Sequence, residues 1–205
     1  MLGSQCSPCC CRICYASFSS ITSSLATGMI QVNGGQINVS VTGSPIVPRA
    51  PSTGQYFRGF TGPAYEWPCN STPGTNSLVA LTDTSRDKTY SIDFSVPATR
   101  IVMPILSLGA FAGNPGRPPA VSISVTWQFS EEFSIYSQGA HSVFGQCLQP
   151  GQCLQKDGST LTGLEGSGII EFSGEISALT LSVIGESENY NGFGIGIPCE
   201  TNPLP

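Results

Sequence analysis

Nine cysteines dominate the chemistry open to this 205-residue chain, and five of them, Cys6, Cys9, Cys10, Cys11 and Cys14, fall within its first fourteen residues. Cys6-x-x-Cys9 and Cys11-x-x-Cys14 are two CxxC units separated by Cys10 alone. Zinc ribbons place a dozen or more residues between their paired ligands, so one chain would struggle to close a tetrahedral site from this run. Three chains meeting near an axis would instead bring fifteen thiols together. That is enough for inter-chain disulfides or for a zinc or iron–sulfur site shared between subunits. Covalent linkage, metal binding and partly reduced thiols all remain open. The odd total leaves at least one cysteine unpaired or bonded to another chain.

The remaining cysteines read differently. Gly145-Gln146-Cys147-Leu148-Gln149 is repeated directly as Gly151-Gln152-Cys153-Leu154-Gln155, and a Cys147–Cys153 bridge would close and stiffen an exposed hairpin tip. Cys69 and Cys199 are left as a remaining pair. His141, the single histidine, lies in Gln-Gly-Ala-His-Ser without a recognisable nucleophile elbow. Glu131, Glu132, Glu165, Glu171 and Glu175 offer carboxylates for a glycosidase pair, but Glu171 and Glu175 fall on the outward parity of their strand, where a solvated face is the ordinary explanation. Tyr56, Phe57, Phe60, Tyr65 and Trp67 punctuate a Gly, Pro, Ser and Thr-rich segment over residues 43–77. They would cap one end of the fold, or Tyr56, Phe57, Tyr65 and Trp67 would form an aromatic ligand platform. The sequons at Asn38 and Asn70 carry little weight without a secretory route.

The elements that must hold these groups are strands. Charged residues make up only 10% of the chain, against roughly 25% in an ordinary soluble domain, so its polar surface comes from Ser, Thr, Asn, Gln and Gly. Twenty-four Gly and sixteen Pro disfavour long helices. The net charge of −5 with scattered basic residues argues against nucleic acid, and no run is long and apolar enough to span a bilayer. The start, Met-Leu-Gly-Ser-Gln-Cys, lacks the basic and apolar regions of a signal peptide. Length favours one domain with an appended arm.

Phe18, Ile21 and Leu25 fall at helical spacing ahead of Gly28, so a short helix is expected within an N-terminal arm over residues 1–30. From Gln31 the period becomes two, with Ile37, Val39 and Val41 on one face. Tyr90, Ile92, Phe94 and Val96 alternate likewise, and after Pro97 the unbroken run Ile101 to Leu108 reads as a strand buried on both faces. Val121 to Phe129 is the clearest strand, with Trp127 as a core anchor, and Glu131 and Glu132 mark the turn after it. Ile170, Phe172 and Ile176 occupy even positions, whereas Leu179, Leu181 and Val183 occupy odd ones, which demands a bulge or turn near residues 177–178. The expected fold is all-β: an antiparallel, jelly-roll-like β-sandwich over residues 31–205, with a cysteine-rich N-terminal arm.

The stretch Thr-Tyr-Ser-Ile-Asp-Phe-Ser-Val-Pro-Ala-Thr-Arg-Ile-Val-Met-Pro-Ile-Leu-Ser-Leu-Gly from Thr89 resembles a recurring segment of bacterial extracellular β-sandwich domains. Leu164-Glu165-Gly166-Ser167-Gly168, Ile170-Glu171-Phe172-Ser173-Gly174 and Tyr190-Asn191-Gly192-Phe193-Gly194-Ile195-Gly196-Ile197 resemble their ends. The likeness spans about residues 78–198 and extends to some phage virion proteins. No sorting helix follows Pro205, and the cysteine-rich arm is foreign to the pattern. The resemblance therefore implies a non-enzymatic bacteriophage virion protein on the particle surface: a short fibre, tail or baseplate appendage, or capsid decoration. Its arm would serve attachment to other virion proteins or to sister chains in a homo-oligomer, a trimer being favoured, and would contribute little to the sandwich itself. Its loops would contact a host glycan or receptor. A secreted bacterial carbohydrate-binding or adhesion module, with an extracellular location, and a jelly-roll glycan hydrolase are the alternatives.

Overall fold

In the computed structural model, residues 12–48, 60–61, 67–74, 76–81, 87–109, 124–141, 153–163, 166–184 and 191–200 are described. The strands follow in order as β1 (Ile13–Tyr15), β2 (Ser17–Ile21), β3 (Leu25–Val32), β4 (Gly35–Thr42), β5 (Phe60–Thr61), β6 (Val79–Leu81) and β7 (Lys88–Leu108). Then come β8 (Val125–Phe129), β9 (Phe133–His141), β10 (Leu154–Asp157), β11 (Thr160–Gly163), β12 (Gly166–Ile184), β13 (Asn191–Phe193) and β14 (Gly196–Pro198). Apart from a single 3-10 turn at Pro68–Asn70, every described element is a strand, and the named strand pairs are all antiparallel.

The two longest strands belong to both layers. The first half of β7 pairs with β4 and with the second half of β12, while β12 pairs onward with β8. The second half of β7 pairs with the first half of β12 and touches β13 and β14, and β12 pairs there with β9. The crossing falls around Pro97 and Gly174. Proline has no N–H to give a ladder, and Gly174 takes φ +116, a conformation that L side chains rarely adopt. Register shifts in β12 between Ser173 and Ile176 and between Ile176 and Ala178 complete the corner. The parity change expected near residues 177–178 is therefore a bulged bend. The expectation that Pro97 separates two strands is replaced by one 21-residue strand running through it.

The layers face one another through aromatic rings. Trp127 of β8 meets Phe193 of β13 edge-on, and Phe129 meets Phe172 and Phe133. Trp127 is fully buried, as its parity with Val125 and Phe129 requires. Residues 101–108 are buried on both faces. Ile101, Met103 and Ile105 belong to the inter-layer core, whereas Val102 points outward beneath Ile13, Tyr15 and Trp67.

The helix expected before Gly28 is absent. Phe18 and Ile21 lie in β2, and Leu25 opens β3. The β2–β3 ladder slips between Phe18 and Ser20, leaving Ser19 as an extra residue. That bulge and the 22–24 turn convert a period of two into apparent helical spacing. From Arg12 onward, the segment assigned to an arm is thus sheet.

Candidate functional site

Strand directions give the molecule two distinct poles, roughly 25 Å apart at the usual strand rise over residues 101–108. At one, Ile13 pairs with Pro198 and Cys14 with Ile197. The Cys14–Cys199 disulfide, spanning 185 residues of sequence, locks this pair. Cys199 N–H donates to the Arg12 carbonyl, and Asn33 N–H, in the β3–β4 turn, donates to the Cys199 carbonyl. A cleft of about 580 Å³ opens here, lined by Arg12, Cys14, Gln31, Asn33, Thr72 and Cys199 among others. The cysteine-rich residues 1–11 connect to the fold at this point, so it is the arm pole.

At the opposite pole, Leu81 faces Asn191, Lys88 faces Val183, Leu108 faces Gly166 and Leu154 faces Gly163. The layers touch directly here: a Cβ on Gly163 would sit 2.4 Å from the Leu108 carbonyl oxygen, and one on Gly166 would sit 2.1 Å from that of Cys153. The strand ends flanking residues 82–86, 110–123, 142–152, 164–165 and 185–190 all lie at this loop pole. Asn191 is fully buried there, with neither amide atom hydrogen-bonded among the described residues. Nothing in its sequence neighbourhood, Tyr-Asn-Gly-Phe, marks it as buried.

Beside the arm pole, the outer face of the β7–β12 layer carries a polar cluster. Arg100 Nη2 donates to Glu171 Oε1 in a part-buried ion pair, correcting the solvated role expected for Glu171. Burial alone would lower the Arg100 pKa, but the hydrogen bond and charge of Glu171 outweigh it and raise it. Tyr15 lies across Gly196, where a Cβ would meet its ring at 2.7 Å. Its hydroxyl donates to the Ser71 carbonyl at 3.2 Å, and its ring meets Trp67 edge-on. Desolvation, reinforced by Glu171, pushes the Tyr15 phenol well above its ordinary value. Tyr15 was hidden in sequence because it follows the cysteine run.

Of the residues singled out above, Cys14 is corrected: it bonds Cys199 within the chain, which removes it from the inter-chain set. The suggested Cys69–Cys199 pairing falls for the same reason. Cys153 is disulfide-bonded and buried. Cys147, expected as its partner, lies outside the described residues, as do Cys6, Cys9, Cys10, Cys11, Tyr56, Phe57, Tyr65 and Glu165. Trp67 is half-buried against Tyr15 rather than displayed alone. His141 ends β9 at the loop pole, Glu131 and Glu132 are exposed in the β8–β9 turn, and Glu175 is exposed at the corner. No group of three or more His, Cys, Asp or Glu side chains converges among the described residues. No helix there is long and apolar enough to cross a membrane.

No protein-family model matches the chain, and no similar curated protein or solved structure was found.

Proposed function

We propose that this chain is a non-enzymatic structural protein displayed on the surface of a bacteriophage particle. In this reading the arm pole is fastened to the particle or to sister chains through residues 1–11, and the loop pole faces outward toward a host receptor. The observation that carries the reading is the separation of the poles. The cysteine-rich segment joins the sandwich at one end, beside the disulfide, while the longest connections leave strand ends at the other. A disulfide that ties the first strand to the last suits work outside a reducing cytosol, and a small-residue, weakly charged exterior suits a protein that makes contacts over several faces.

Deletion of residues 2–11 tests it. Light scattering on the purified full-length and shortened proteins should show a defined multimer only for the former, with closely similar melting temperatures. Antibodies against the sandwich should label intact particles carrying the full-length chain and not those carrying the shortened one. A shortened protein that keeps its multimer and its place on the particle would overturn the attachment role.

A further inference from the structure

We infer that the outer face of the β2–β3–β4–β7 sheet carries a binding cleft for a neutral oligosaccharide. The cleft, about 510 Å³, lies within the size range of small-ligand sites, and its origin is the departure of β7 for the other layer. β4 and β7 are paired from Val39–Phe94 to Thr42–Ser91. Past Phe94 the ladder stops, and the Asn38 N–H is taken by the Ser95 hydroxyl at 3.0 Å instead of a strand carbonyl. The strands splay there because Pro97 marks the corner.

The lining is chemically specific. Two rows cross the cleft: Thr27, Ser40 and Asp93 in one, Met29 and Asn38 in the other. All are short side chains except Met29, so little rotamer freedom is lost when a ligand fixes them. Ser91 Oγ donates to Asp93 Oδ2 at 3.0 Å, orienting the carboxylate, whose Oδ1 has no intramolecular partner among the described residues. The fixed carboxylate oxygen accepts from one sugar hydroxyl, while the Thr27 and Ser40 hydroxyls and the Asn38 side-chain amide N–H donate to its neighbours. Met29, 40% exposed, supplies a soft apolar contact for the C–H face of the ring.

Charge selects among occupants. Asp93 is the single ionisable side chain in the lining, and no basic group accompanies it, which disfavours phosphate, nucleic acid and sialylated or sulfated glycans. One carboxylate is also too few for a calcium site, which takes six to eight oxygen ligands. A neutral, hydroxyl-rich molecule fits what remains. The inference holds independently of what residues 1–11 attach to.

Saturation-transfer NMR on the full chain tests it, with cellotriose, maltotriose and chitotriose as neutral probes and sialyllactose as the anionic comparison. At least one neutral trisaccharide should receive saturation. Asp93→Ala should weaken its binding about tenfold or more, as expected for a lost hydrogen bond to a charged group. Met29→Arg should abolish binding while leaving the melting temperature unchanged, because that side chain is exposed. The protein lacking residues 2–11 should bind as well as the full chain, so failure of the attachment reading would be visible separately. The inference is overturned if no neutral probe receives saturation, if sialyllactose alone does, or if both substitutions leave binding intact. It is equally overturned if Met29→Arg changes only the molar mass in light scattering, which would make this face a contact between copies.

Discussion

At the scale of single residues, Trp127 joins the two layers of the core. Trp127 touches Phe129 within its own sheet and Phe193 across the gap, fully buried. Trp127→Ala should destabilise the protein by roughly 3–5 kcal/mol in urea unfolding. Trp127→Phe should cost less than half of that, since it also removes an indole N–H that has no acceptor among the described residues. Tyr15 makes a pH-dependent contribution. Its folded pKa lies above the unfolded value of about 10, so the folded state holds the phenolic proton more tightly. That stability is fully present below pH 10 and is lost as the pH rises from there toward the folded value. Melting curves between pH 8 and pH 11.5 should therefore fall less steeply for Tyr15→Phe than for the parent. At pH 8 the variant should be weaker by about 1 kcal/mol, for the hydrogen bond to Ser71. Trp127 was legible in sequence because its alternation is unbroken. Tyr15, Arg100 and Glu171 were not, because their meeting depends on strands 71 to 156 residues apart in sequence and on the particular pairing of β1 with β14.

At the scale of elements, sequence was most informative where a strand keeps one environment. The alternation of β4 and of the first half of β7, and the continuous burial of residues 101–108, were all readable. It misled where a strand changes environment. Pro97 looked like a terminator because a proline in a central strand normally removes a ladder bond; here it sits at the corner, where the ladder is already interrupted. The bulge at Ser19 disguised two strands as one helical turn. The correction at β1 has a measurable consequence. Deleting residues 1–14 removes Cys14 and part of the strand that covers Val102, whereas deleting residues 1–11 removes neither. The longer deletion should lower the melting temperature by many degrees and the shorter one should barely move it. Cys14→Ser, Cys199→Ser and the double variant should each lose roughly 3–5 kcal/mol, nearly the same amount, because a single bond closing almost the whole chain is broken in every case.

At the scale of the whole molecule, β7 and β12 run through both layers, so unfolding either layer unpairs part of the long ladder that these two strands share. Cooperative unfolding in a single transition should follow, by circular dichroism and tryptophan fluorescence alike; two resolved transitions would show that the layers melt independently. The cross-linked ends have a mechanical meaning as well. Tension applied between Arg12 and Glu200 runs through the Cys14–Cys199 bond and bypasses the sheets, so the sandwich carries no load. After reduction, the same pull would meet β1 and β14 with their ends side by side, Ile13 against Pro198 and Tyr15 against Gly196. In that geometry the bridges open one after another, as a zipper does, at far lower force than shearing would need.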